Sequence, residues 1–184
     1  FQYETTIEKA INDINFKIDG GKITALVGQS GAGKSTIINL VPRFYDPQNG
    51  KILIDDQDVK QVNLKSLREK ISLVSQDIIL FDDTVRNNIG YANSTASQEE
   101  ISDACKFAAA HEFIEKLPMG YDTKIGENGI KLSGGQKQRM SIARALIKRP
   151  EILLFDDSFS AVDTQTEEIL SLIHISEPTR PLYI

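Results

Sequence analysis

Gly28-Gln29-Ser30-Gly31-Ala32-Gly33-Lys34-Ser35-Thr36 stands between the apolar run Ile23-Thr24-Ala25-Leu26-Val27 and the mostly apolar Ile37-Ile38-Asn39-Leu40-Val41. Glycines at that spacing let backbone N–H groups turn inward around a polyanion, and a helix opening at Lys34 or Ser35 adds the partial positive charge of its N-terminus. The guest that suits such a loop is phosphate. A lysine there reaches β- and γ-phosphates as a point charge, and the Ser35 hydroxyl sits on a Mg²⁺ that bridges them. Gly28, Ser30, Gly31, Gly33, Lys34, Ser35 and Thr36 are the candidate phosphate-binding residues, in the strand, turn and helix context that gives the motif meaning.

Ile152-Leu153-Leu154-Phe155-Asp156-Asp157 is the second landmark. A continuously apolar run that ends in carboxylates has the pattern of a central parallel strand whose C-terminal end faces a ligand. Asp156 is the candidate holder of Mg²⁺, and Asp157 is placed to orient or deprotonate an attacking water. Alone, the pair would read as an acidic exit from a strand; beside a phosphate loop it reads as a metal and water site. Leu132-Ser133-Gly134-Gly135-Gln136 is the third. Ser133 is a good N-cap, and the two glycines expose backbone N–H groups at a helix start, so a second anion site is expected there.

Positioning these residues requires a sheet with helices laid on it. Half-buried alternation predicts a strand over Ile14–Ile18, Asp19-Gly20-Gly21 turns it, and Ile23–Val27 is expected as the buried strand that feeds the phosphate loop. The helix after Lys34 ends near Pro42, a turn at Asp46–Gly50 precedes the strand Lys51–Ile54, and Leu64–Lys70 leads as a short helix into the strand Ile71–Val74. From Asp77 the pattern becomes helical: Thr84–Ile89, Ser97–Ala110, with Ser97 and Glu100 spaced as a capping box, Glu112–Leu117, and Gln136–Ile147, which stops at Pro150. A mostly helical lobe is therefore expected between about residues 77 and 149.

Composition narrows the class. At 184 residues, 40% hydrophobic and 26% charged, the chain has the makings of one globular domain. Its net charge of -5 argues against nucleic acid as a partner. The single cysteine, Cys105, makes no internal disulfide, which fits a reducing compartment, and is expected as a small buried residue on a helix. No apolar run spans a bilayer, so a membrane role has to come through a partner. The chain starts in what looks like mid-strand at Phe1 and is expected to be a fragment.

Over about residues 1–170 these landmarks together resemble the nucleotide-binding domain of ABC transporters. The resemblance implies an α/β P-loop NTPase fold, a RecA-like sheet core with an inserted, mostly helical signature subdomain. It makes Gly28–Thr36 the Walker A loop, Asp156 the Walker B aspartate and Leu132–Gln136 the signature sequence. Gln76 matches the Q-loop glutamine that senses metal and γ-phosphate, Asp163 lies in the D-loop-like Ser160-Ala161-Val162-Asp163, and Tyr3 stands where the family places an aromatic that stacks on adenine. ATP and Mg²⁺ are the implied ligands. Ser133, Gly134, Gly135 and Gln136 would then meet the ATP held by a second cassette in a head-to-tail homo- or heterodimer.

Gly126-Glu127-Asn128-Gly129 looks like the X-loop of exporters, and Leu80-Phe81 with Thr84–Ile89 is similar to the exporter segment after the Q-loop. Arg43-Phe44-Tyr45-Asp46 brings the resemblance closest to bacterial lipid A and multidrug exporters. Such proteins carry a transmembrane domain ahead of the cassette on the same chain and place the cassette at the cytoplasmic face of the inner membrane.

The chain departs from the family pattern at two places. The hydrolytic glutamate falls at Asp157, one methylene shorter, and the switch histidine is expected beyond Ile184; His174 lies too close to Asp157 to be it. His111 reads as an ordinary helix-end or surface histidine. Residues 171–184, with Pro178 and Pro181 where the family continues a helix and a strand, are expected to be non-native sequence similar to a translated sequencing adapter. Two other functions stay open. One is a weakly hydrolysing half of a heterodimeric exporter; the other is a soluble, non-transport ABC ATPase, although Gln76–Ser133 is too short to hold the long coiled coil of repair relatives.

Overall fold

The computed structural model describes residues 1–126, 129, 131–156 and, for their backbone, 182–183. The chain divides into two units, one formed by Phe1–Ile71 with the last strand, the other beginning at Ser72.

The first unit contains β1 (Lys17–Ile18), α1 (Lys34–Leu40), β2 (Leu53–Ile54), β3 (Gln57–Asp58) and α2 (Leu64–Lys70). Asp55 and Asp56, with φ of 49° and 62°, form the two-residue turn that pairs Leu53 with Asp58 and Ile54 with Gln57. Left-handed φ at both positions matches the right-handed twist of a tight hairpin, and aspartate tolerates it better than most residues. The Asn63 side chain starts α2 by accepting from the N–H groups of Lys65 and Ser66. Two arginines fasten the turn after α1. Arg43 donates Nε and Nη2 to the Asp46 carboxylate. Arg68 donates to the carbonyls of Pro42 and Arg43 at 3.0 and 2.8 Å and lies over the Phe44 ring. Ile37, Leu40, Val41, Ile52, Val59, Leu67 and Ile71 are buried.

Ile23–Val27 departs from expectation. It is irregular and pairs with no strand among the described residues, and Val27 is 94% exposed. A central parallel strand exists only through ladder partners on its edges and layers on both faces. The described strands of this unit are two-residue antiparallel pieces, so the apolar run stays irregular and unladdered. The expected strand Ile14–Ile18 is likewise reduced to Lys17–Ile18.

The second unit opens within β4 (Ile71–Val74), whose four residues continue the chain directly from α2. Its helices are α3 (Val85–Gly90), α4 (Gln98–Phe107), α5 (His111–Glu115) and α6 (Gly134–Leu146), with a 3₁₀ turn at Gly120–Asp122, and β5 (Ile152–Phe155) pairs with β4. Thr84 caps α3 by accepting from the Asn87 N–H. The Ser97 and Glu100 capping box forms at the start of α4, each side chain bonding the other's backbone N–H. The apolar faces of α3, α4, α5 and α6 close on one core that includes Val85, Ile89, Ile101, Cys105, Ile114, Met140 and Ile142. Buried Ser72 donates to the Ala145 carbonyl at 3.0 Å, tying β4 to the end of α6. Strand β6 (Leu182–Tyr183) pairs antiparallel with β1 and β2, giving the order β1-β6-β2-β3. No helix among the described residues is long and apolar enough to cross a membrane.

Candidate functional site

In the first unit the loop Gly28–Gly33 runs into α1. Gly33, at φ 87°, is the N-cap of that helix, and its carbonyl accepts from the Ile37 N–H at 2.9 Å. Any Cβ at Gly33 would lie 2.6 Å from the Ala10 carbonyl oxygen, an approach only glycine allows. Gly31, at φ 80°, supplies the other left-handed position of the loop. The Ala32 N–H closes a turn onto the Gln29 carbonyl. Lys34 folds back into this loop, its ammonium donating to the carbonyls of Gly28 and Gln29 at 2.9 Å each. A cation is thus held among the backbone groups of a glycine-rich turn, the arrangement suited to an anion with several oxygens.

Ser35 is exposed beside Lys34, while Thr36 is buried and accepts the Tyr3 hydroxyl at 3.0 Å. Tyr3 packs edge-on against Phe1 and Tyr45, with ring centroids 4.9 and 5.1 Å apart. The residues of the phosphate loop and the predicted aromatic therefore share one neighbourhood, joined through Thr36.

In the second unit Asp156 follows β5, and its N–H donates to the Val74 carbonyl at the end of β4. Gln76, exposed, lies just past that end. The predicted metal carboxylate and the predicted sensing glutamine thus leave neighbouring strands. Ser133 starts α6 through a capping box: its N–H donates to Gln136 Oε1 at 3.0 Å and its hydroxyl accepts the Gln136 N–H at 3.3 Å. An accepting hydroxyl still has its own proton to give, so Ser133, with the N–H groups of Gly134 and Gly135, offers donors at the helix start. Gly129 adopts φ 64°, and a Cβ there would meet the Leu80 side chain at 2.8 Å. Asp157, Asp163 and His174, with Glu127 and Asn128, lie outside the described residues.

His111 opens α5 and its Nδ1 lies 2.8 Å from the Tyr121 hydroxyl. Arg144 and Asn88, which sequence reasoning passed over, tie α6 to the segment after β4. Arg144 on α6 donates Nε and Nη1 to the carbonyls of Asn88 and Ile79, both at 2.8 Å, and burial pushes its guanidinium below the ordinary arginine range. An arginine two places past the buried Ile142 was the available signal.

A family model described as ABC transporter matches residues 11–160. Over 170 residues the chain is 52% identical to multidrug export ATP-binding/permease proteins of Staphylococcus aureus strains COL and Mu50, covering 92% of this chain and 29% of each relative. It also matches the structure of a bacterial Atm1-family ABC exporter with ATP bound, with a TM-score of 0.85 and 52% identity over 90% of this chain and 29% of that one. The chain thus spans about three-tenths of the length of these relatives. With a glycine-rich lysine loop, a capped Ser-Gly-Gly helix start and a family match over most of its residues, the chain belongs to the ABC transporter family.

Proposed function

We propose that this chain is the ATP-binding and ATP-hydrolysing cassette of an exporter, dimerising on ATP to drive a lipid or other hydrophobic substrate across a membrane. Residues 1–170 form the cassette, and about 77–149 its helical signature subdomain. The carrying observation is Lys34, held in its own loop by two carbonyls. A triphosphate is a stronger acceptor than a carbonyl and would take over these bonds. Gly28, Ser30, Gly31 and Gly33 turn N–H groups toward it, Tyr3 stacks on the base, and Ser35, Gln76 and Asp156 hold Mg²⁺, which neutralises phosphate charge when bound. Their chemistry suits that ion, since each residue brings a hard oxygen donor.

Asp157 orients the attacking water and Gln76 reports on the γ-phosphate. Ser133 to Gln136 and Asp163 act on the nucleotide of the second cassette. Partners are that cassette and a transmembrane domain on the same full-length protein, at the cytoplasmic face of the membrane. Asp157 favours a second reading, the weakly hydrolysing half of a heterodimer, since its carboxylate is one methylene short. Replacing Lys34 with alanine tests the main one. It removes charge-assisted bonds worth about 1.5 to 3 kcal/mol, so a fluorescent ATP analogue should bind roughly 10- to 150-fold more weakly. Wild-type affinity in Lys34→Ala would remove this reading.

A further inference from the structure

Arg144 lies toward the C-terminal end of α6, the helix that Ser133 caps. Three of its guanidinium hydrogen bonds go to the segment after β4: Nη1 to the Ile79 carbonyl, Nε to the Asn88 carbonyl, and Nη2 to Asn88 Oδ1 at 2.9 Å. Its Cζ stands 5.4 Å from the centroid of the Phe81 ring. Asn88, 1% exposed on α3, spends the rest of its amide on the same segment. Oδ1 also accepts the Phe81 N–H at 2.8 Å, and Nδ2 donates to the carbonyls of Phe81 and Thr84 at 3.0 Å. Both amide donors and both acceptor positions of Asn88 are filled. The segment divides its side chains: Leu80 is buried in the core, Ile79 is 64% exposed, and Phe81 lies between Arg144 and Tyr91 and stays half-exposed, its ring centroid 4.6 Å from that of Tyr91.

We propose that Arg144 and Asn88 are positioning residues that make the segment bearing exposed Ile79 and Phe81 and the signature helix one rigid piece, so that a load on either is felt at the other. The proposal rests on the cassette reading above. A half-buried network with its amide fully bonded has little freedom to yield, and a planar guanidinium holds its donors on three nitrogens in a fixed fork where an ammonium offers all of its own from one atom. Coupling of this kind is reciprocal: nucleotide engaging Ser133 must alter the Ile79–Phe81 segment by the same factor by which a load on that segment alters nucleotide binding.

Amide hydrogen exchange of residues 79–84 in the whole 184-residue chain, with and without Mg-ATP, measures the coupling. In the wild type, exchange there should change about fivefold or more on adding nucleotide, the lower end of ordinary coupling between sites. Arg144→Lys should bind ATP with unchanged affinity yet lose most of that response. A merely structural role would raise exchange equally in both conditions and leave the nucleotide difference intact. With the chain at a concentration where light scattering shows the Mg-ATP dimer, an equal response in Arg144→Lys, or no response in the wild type, overturns the proposal. A wild type that fails to bind ATP or to dimerise on it at any concentration overturns the cassette reading, and this one with it. If Arg144→Lys does not fold, Asn88→Asp, which keeps the acceptor and loses both donors, takes its place: a lost response supports the coupling and an equal response overturns it.

Discussion

The backbone N–H of Asp156 donates to the carbonyl of Val74 across 3.0 Å, so the exits of β5 and β4 stand side by side. That one bond sets the backbone of the proposed metal residue beside the end of the strand that leads to Gln76, whose proposed task is to register the same metal. Neither residue needs a long side chain to reach the other's strand end, because pairing of the strands has already brought them close.

Asp157 follows immediately, and its shortened carboxylate should limit chemistry while sparing binding. Positioned general-base help is worth about 10²- to 10⁴-fold, and a retreat of the oxygen from the water forfeits part of it. Asp157→Glu should raise kcat about tenfold with little change in KM. Steady-state hydrolysis of Mg-ATP gives the answer, and unchanged turnover would end the role assigned to position 157.

The donors around Ser133 have no phosphate of their own in the proposed arrangement, so they should meet one only across a dimer. Cysteines placed at Ser30 and Ser133 of opposite subunits should cross-link when Mg-ATP is present and not otherwise. Replacing the cap costs α6 about 1 kcal/mol, which its packed face tolerates. Equal cross-linking in the absence of nucleotide would count against head-to-tail geometry.

Cys105 is completely buried against the helical core, and burial pushes its thiol from 9.0 up to about 12. Because only a thiolate is reactive, a disulfide reagent at pH 8 should leave the native chain untouched and titrate one thiol after unfolding. Linkage adds a sign. The unfolded thiol loses its proton first, so the stability this group contributes is whole below its ordinary value and falls as pH rises through that value toward about 12. Denaturation midpoints at neutral and alkaline pH should differ accordingly; a midpoint that rises with pH would contradict the assignment.

Residues 171–184 should prove foreign to the gene. An independent read of the locus should depart from this sequence after about Leu170, and one that reproduces His174–Arg180 in frame would refute the proposal. The pairing of β6 with β1 and β2 does not weigh against it, since a ladder uses backbone groups that any residue except proline supplies in full.

Local signals carried much of the fold. Ser97 with Glu100 and Ser133 with Gln136 predict their helix starts because a cap is a matter of a few adjacent residues. Ile71–Val74 and Ile152–Phe155 were legible as strands from largely apolar runs. The same logic misjudges Ile23–Val27, where composition is right but ladder partners decide the outcome, and partners are not a local property. Within the candidate site, the glycines and Lys34 were readable from spacing alone. The bonds of Arg144 to Ile79 and Asn88, and of Tyr3 to Thr36, join distant segments and left no periodic trace.

Exposed Ile23–Val27 also has a colloidal meaning. Five uncharged residues outside any strand ladder among the described residues, four of them exposed, present backbone groups together with β-forming side chains, the combination by which one chain recruits the edge of another. Self-association through this stretch would scale with protein concentration and owe nothing to nucleotide. Light scattering across a dilution series therefore separates it from the ATP-dependent dimer, and purification of the chain calls for a charge at the solvent-facing Val27 more than for any change at the site itself.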